Sequence, residues 1–236
     1  PPGFKEAYSQ FVENGWNGLF YSPLEFAQVI DDIGSSKVGV YFDVGNVLVD
    51  WDPRYLYRQI FDTPEEMERF LAEVCHPEWN LAQDAGRPWR EAEAEAIARY
   101  PASARHIRLY RERWHEMISG AIAETVALLD DLHRVGVPLY AITNFAADTF
   151  AETRVKYPFF QHFRGIVVSG EIGILKPDRR IYQRLADDHG VDLTRSVFID
   201  DSARNCDGAR ACGMAAVHFK SPRQARAELA AMGLAV

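Results

Sequence analysis

The stretch Tyr41-Phe42-Asp43-Val44-Gly45-Asn46-Val47 decides the fold of this chain. An apolar run ends in an acid and then meets glycine and asparagine, which reads as a buried strand entering a turn. A second run, Val197-Phe198-Ile199-Asp200-Asp201, repeats the pattern with two acids at its end. In open α/β sheets, ligands bind just outside the carboxyl ends of parallel strands. Three acids delivered there repel one another unless a cation sits between them. The pattern therefore points to a divalent metal beside an aspartate. Two further strand ends, Ala141-Ile142-Thr143-Asn144 and Gly173-Ile174-Leu175-Lys176-Pro177, add a hydroxyl and a lysine.

Outward from these runs, strands are predicted at 38–43, 137–143, 166–169, 196–200 and 215–219. Helices are predicted at 122–134, 178–189, 203–212 and 222–232. This alternation gives an α/β fold, a Rossmann-like parallel sheet covered on both faces. Residues 37–51 and 120–236 form this core. Between them, 52–119 is helical and rich in charge. Thr63-Pro64-Glu65-Glu66 is a capping box there, and further helices are predicted at 88–99 and 102–119. The segment is inserted directly after the first strand, so it can fold as a helical cap over the strand ends without threading the core. The first 36 residues read as a separate helical extension, with Phe4, Tyr8, Phe11 and Val12 on one face.

The order of motifs resembles the haloacid dehalogenase superfamily of aspartate-nucleophile hydrolases, from about Ser36 onward. Its four motifs match Asp43, Thr143, Lys176 and the pair Asp200-Asp201. The wording around Asp43, with 168–177 and 200–205, is similar to a branch of small sugar-phosphate phosphatases that act on substrates such as glucose 1-phosphate. The resemblance implies Asp43 as the nucleophile that forms an aspartyl-phosphate. It implies Mg²⁺ held by Asp43, the carbonyl of Gly45, Asp200 and Asp201, with Asn205 orienting the acid pair. Thr143, Asn144 and Lys176 would bind the phosphoryl group, Lys176 also in a catalytic role. The chain departs from many phosphatases of the superfamily at Gly45, where they carry a second aspartate as general acid and base. That departure leaves the proton donor unassigned.

Two other readings share the fold. One is a 2-haloacid dehalogenase, in which the same aspartate displaces halide without a metal; the acid pair disfavours it, and that branch usually has an aromatic residue at position 45. The other is a binding protein without turnover, which Gly45 alone supports. Asn46, Asp50, Trp51, Asp52 and Arg54 follow Asp43 and stand where they could face the cap and touch substrate, although a helix entry at Asp52-Pro53 explains several of them without function. Trp79, Trp89 and Trp114 are expected in the cap core, and His76, His106 and His115 lack metal-ligand spacing.

The composition suits a globular protein: of 236 residues, 47% are apolar and 25% charged. A net charge of -8 argues against a nucleic-acid partner but is compatible with a small phosphorylated substrate, given a metal and a lysine. No membrane span and no secretory signal are expected. The three cysteines, Cys75, Cys206 and Cys212, read as reduced thiols of a cytoplasmic protein. Neither the substrate nor the oligomeric state is legible.

Overall fold

The computed structural model describes residues 39–234 and 236; the helical extension expected over 1–36 lies outside the described residues. Five parallel strands form the core sheet: β1 (Val40–Phe42), β4 (Leu139–Thr143), β5 (Gly165–Val168), β6 (Val197–Asp200) and β7 (Ala215–His218). Their order is β5-β4-β1-β6-β7, so β1 lies at the centre and the chain reverses direction across the sheet there. Such a reversal opens a crevice at the carboxyl ends of the strands.

Strand alternation sorts side chains onto two faces. Val40, Phe42, Ala141, Val197 and Ile199 enter one cluster, where they meet Leu128, Leu129 and Leu132 of α6 (Ala123–Arg134) and Ala225 and Leu229 of α11 (Pro222–Ala231). Tyr41, Tyr140, Ile142, Val167 and Phe198 enter the other. There they meet Ile181, Tyr182 and Leu185 of α9 (Arg179–His189) and Ala209 of α10 (Ala203–Ala211). Burying one such large side chain is worth about 1.5–3 kcal/mol. Both faces are thus covered, as the unbroken apolar strands require.

The chain leaves the core through β2 (Val49–Trp51) and returns through β3 (Ile118–Ala121), which pair as an antiparallel ribbon with a register shift between Asp50 and Trp51. Between them lie α1 (Arg54–Tyr57), α2 (Pro64–Glu73), α3 (Pro77–Asp84), α4 (Trp89–Arg99) and α5 (Ala104–Glu112). The Thr63 hydroxyl accepts from Glu66 N–H at the start of α2, with Pro64 at the first helical position. Such a cap contributes about 1 kcal/mol. Trp79, Trp89, Tyr110 and Trp114 pack ring against ring, with centroids 5.1–5.9 Å apart. Trp79, Trp89 and Trp114 were expected in a core of the insertion itself, but they belong to the buried cluster that also holds Val40, Phe42 and Ile199 of the sheet, and Trp114 reaches Phe145, 5.8 Å away.

Several segments differ from the sequence reading. Residues 173–177, expected as a strand end, form no strand: Gly173, left-handed with φ 68°, ends the short helix Ser169–Ile172, and the chain turns into α9, so Lys176 stands on a loop. The helix expected over 102–119 ends at Glu112; a 3-10 turn (Trp114–Met117) follows, and Ser119 lies in β3. The buried Trp114 and Met117 anchor the turn, and the chain then extends to pair with β2. The α7 helix (Ala147–Lys156) has no counterpart in the sequence reading. Its buried face is Thr149, Phe150 and Thr153, whose two hydroxyls bond back to the Ala146 and Thr149 carbonyls. A buried face two-thirds threonine does not register as an apolar stripe. A short α8 (Ser169–Ile172) follows β5.

Candidate active site

Asp43 is the first residue beyond β1. Its N–H donates to the Ile199 carbonyl of β6 at 2.8 Å, which ties its position to the neighbouring strand. The chain then folds back tightly: Leu48 and Val49 N–H both donate to the Val44 carbonyl, and Asn46 adopts a left-handed conformation with φ 56°. Asparagine tolerates that region better than most residues. Val44 N–H donates to Asp43 Oδ1 at 2.7 Å.

Lys176 Nζ lies 2.7 Å from both Asp43 Oδ1 and Asp200 Oδ2. Burial works against the charge of this lysine, yet the two carboxylates together hold its pKa above the ordinary value. Asp200 is fully buried as the last residue of β6. Ser202 N–H donates to its Oδ1 at 2.8 Å, and Asn205 Nδ2 is 3.1 Å from both of its oxygens. Both of these Asn205 bonds go to Asp200. Asp201 sits at the exposed rim. Desolvation of its carboxylate first, and repulsion by Asp200 second, raise its pKa, while the Asn46 side chain hydrogen-bonds to it and opposes the rise.

The pKa of Asp43 is pushed up to about 7, chiefly by burial, with Lys176 pulling it down and Asp200 and Asp201 pushing it up. Oxygens of Asp43, Asp200 and Asp201 all lie within 4.8 Å of one another. Three hard oxygen donors against one lysine leave an excess of negative charge, and this donor set fits a small divalent cation such as Mg²⁺.

Thr143 ends β4, and its buried hydroxyl has no hydrogen-bond partner. An orphaned buried hydroxyl is costly without a ligand to satisfy it. Asn144 is committed elsewhere: its Oδ1 accepts from Lys176 N–H at 2.8 Å and its Nδ2 donates to the Lys176 carbonyl at 3.2 Å. The Asn144 side chain therefore fixes the backbone of the lysine, while the phosphate contact expected at this position is one of backbone N–H groups.

Beside the acids lies a pocket of about 70 Å³, lined by Gly45, Trp51, Asn80, Asp84, Trp114, Asn144 and Phe145. Asn80 and Asp84, one turn apart on α3, escaped the sequence reading. Their signal was two polar residues on the buried side of a short helix, a pattern that reads as ordinary surface without a third dimension. The core holds this end of α3 directly. Ser169 Oγ donates to the Asp84 carbonyl and accepts from Phe145 N–H, and Ala146 N–H donates to the Asp84 carboxylate.

The family model for haloacid dehalogenase-like hydrolases matches residues 39–213. The chain belongs to this family. It is 31% identical over 97 residues to the sesquiterpene phosphatase astK of Aspergillus oryzae, covering 41% of this chain and 50% of that protein. It is 32% identical over 134 residues to the phosphoserine phosphatase of Thermus thermophilus, covering 56% and 52%. The chain spans about half the length of these curated relatives. Among solved structures, it is similar to a haloacid dehalogenase family enzyme of Bacteroides thetaiotaomicron in complex with magnesium and inorganic phosphate. That likeness has a TM-score of 0.59 at 21% identity and covers 77% and 93% of the two chains. The L-2-haloacid dehalogenase of Xanthobacter autotrophicus gives 0.55 at 14%, with 84% of each chain covered. At such identities the likeness is one of fold. No helix among the described residues is long and apolar enough to cross a membrane.

Proposed function

We infer that the chain is a Mg²⁺-dependent phosphatase of small phosphorylated metabolites. The observation that carries this reading is the buried Asp43–Lys176–Asp200 bridge, with 2.7 Å on each side, at the carboxyl ends of adjacent strands and beside the orphaned Thr143 hydroxyl. A free Asp43 oxygen attacks phosphorus, the bond to the leaving oxygen breaks, and an aspartyl-phosphate forms. Water then attacks phosphorus, releasing inorganic phosphate and freeing Asp43. Lys176 and Thr143 donate to the equatorial oxygens, where charge accumulates in the transition state. Asp43, the Gly45 carbonyl, Asp200 and Asp201 would hold Mg²⁺, which when bound screens the anionic nucleophile from the anionic phosphate.

The relatives named as phosphatases and the magnesium and phosphate in the Bacteroides enzyme support this reading. A sugar phosphate is the substrate class the sequence wording favours. The acid trio weighs against a dehalogenase, because the carboxylate of a haloacid would meet two further acids at the mouth of the site. The test is a panel of phosphate monoesters assayed for released phosphate with and without Mg²⁺, beside 2-chloropropionate assayed for released halide. Phosphate release that requires Mg²⁺ is expected; halide release in EDTA with no phosphate release overturns the reading.

A further inference from the structure

We propose that Asp84, on the inserted helix α3, is the proton donor to the leaving oxygen, supplying from the cap the carboxyl that Gly45 lacks. The inference rests on the phosphatase reading. A Cβ built on Gly45 would meet nothing within 4 Å, so the space where a second aspartate of the core would reach is open. Asp84 lines that same pocket and is its one ionisable residue.

Asp84 is only 7% exposed and makes no ion pair among the described residues. Its carboxylate accepts from Asn80 Nδ2 at 3.1 Å and from Ala146 N–H. These two bonds aim it without neutralising it. Three other residues around the pocket, Asn80, Trp51 and Trp114, each keep a buried polar atom without a partner: Oδ1, Nε1 and Nε1. Buried polar atoms are rarely left unsatisfied unless a ligand completes them. Together they offer one acceptor and two donors to a polar leaving group, beside the group that protonates it.

Burial, opposed by the Ala146 N–H, raises the Asp84 carboxyl to about 7; the nearby Asp43 pushes the same way and Lys176 the other. A carboxyl in that range can both give and take a proton near neutrality. In the first step the pair of the breaking P–O bond moves to the leaving oxygen, which takes the Asp84 proton and departs as the alcohol. In the second, the Asp84 carboxylate takes a proton from the water that attacks the aspartyl-phosphate. The cycle closes with Asp84 protonated and Asp43 free.

The experiment compares the full chain with its Asp84→Asn variant on glycerol phosphate and on p-nitrophenyl phosphate, whose leaving group needs no proton. General acid catalysis is typically worth about 10²–10⁴-fold, so kcat/KM for glycerol phosphate should fall by that factor. For the aryl ester it should fall less than about tenfold, which also reports an intact fold. Equal losses on both esters, or no loss on glycerol phosphate, overturn the proposal. A wild-type chain that hydrolyses neither ester but releases halide from 2-chloropropionate fails at the earlier step and overturns the phosphatase reading itself.

Discussion

The indole N–H of Trp89, at the start of α4, donates to Asp148 Oδ1 of core helix α7 at 3.0 Å. This bond spans the junction between insertion and core, and Arg111 reinforces it by reaching Asp148 at 2.9 Å and Glu152 at 2.7 Å. Asp148 is therefore the point at which two inserted elements hold the core.

Replacing Asp148 by Ala removes both contacts. Each is partly exposed and worth about 0.5–1.5 kcal/mol, with the ion pair at the low end. The expected result is a KM raised by about three- to tenfold with kcat little changed, because the contacts hold the cap rather than the reacting atoms. Steady-state kinetics on the best substrate of the panel checks it. A fall in kcat at constant KM would place Asp148 in the chemistry.

Asp43→Asn is nearly isosteric and removes the proposed nucleophile. Phosphate release should drop to background, while far-ultraviolet circular dichroism stays that of the wild type. Asp201→Asn or EDTA should remove most activity, and excess Mg²⁺ should restore it after EDTA alone. Full turnover in EDTA would exclude a metal from the reaction.

Gly45 and Asp84 form a natural double-mutant pair. Gly45→Asp alone should change the rate on glycerol phosphate little, because Asp84 already supplies a proton. In the Asp84→Asn background it should restore at least about tenfold of what was lost, since a carboxyl re-enters the same pocket. Additive effects across the cycle would show that the two positions do not share a task.

Gly170 is packed against backbone. A Cβ there would lie 2.6 Å from Ala147 N, 2.7 Å from Phe145 O and 3.0 Å from Ala146 Cα. Overpacking of this kind typically costs about 1–3 kcal/mol, and the loop that must yield carries the Ala146 N–H that holds Asp84. Gly170→Ala should therefore lower the unfolding midpoint in urea and also slow alkyl-ester hydrolysis more than aryl-ester hydrolysis.

The parallel sheet was legible because Val40–Phe42 and Val197–Ile199 are apolar on both faces and end in acids, a combination with few other uses. Asp43, Thr143, Asp200 and Asp201 were readable for the same reason: each terminates or follows a strand. Lys176 was read at a strand end as well, but Ile174 and Leu175 before it lie in the loop between two helices, where two apolar residues imitate a strand. The clamp that the Asn144 side chain places on the Lys176 backbone left no trace in the sequence, since the two residues are 32 positions apart and meet only in the folded chain. Asn80 and Asp84 were invisible because their positions depend on how the inserted helices dock, and that docking leaves no periodic trace. The helix Ala147–Lys156 was missed because threonines that bond to their own helix can replace leucines on a buried face.

The β2–β3 ribbon brings residues 51 and 118 side by side, so everything between them departs from and returns to one spot on the core. In evolutionary terms this is a socket. Segments of other lengths can be plugged into it without altering the order of the five core strands. Exchanging the plug would leave the acids and the lysine in place, and would replace in one event Asn80, Asp84 and Trp114, which line the pocket beside Gly45. A family built this way can keep one reaction and change its customers.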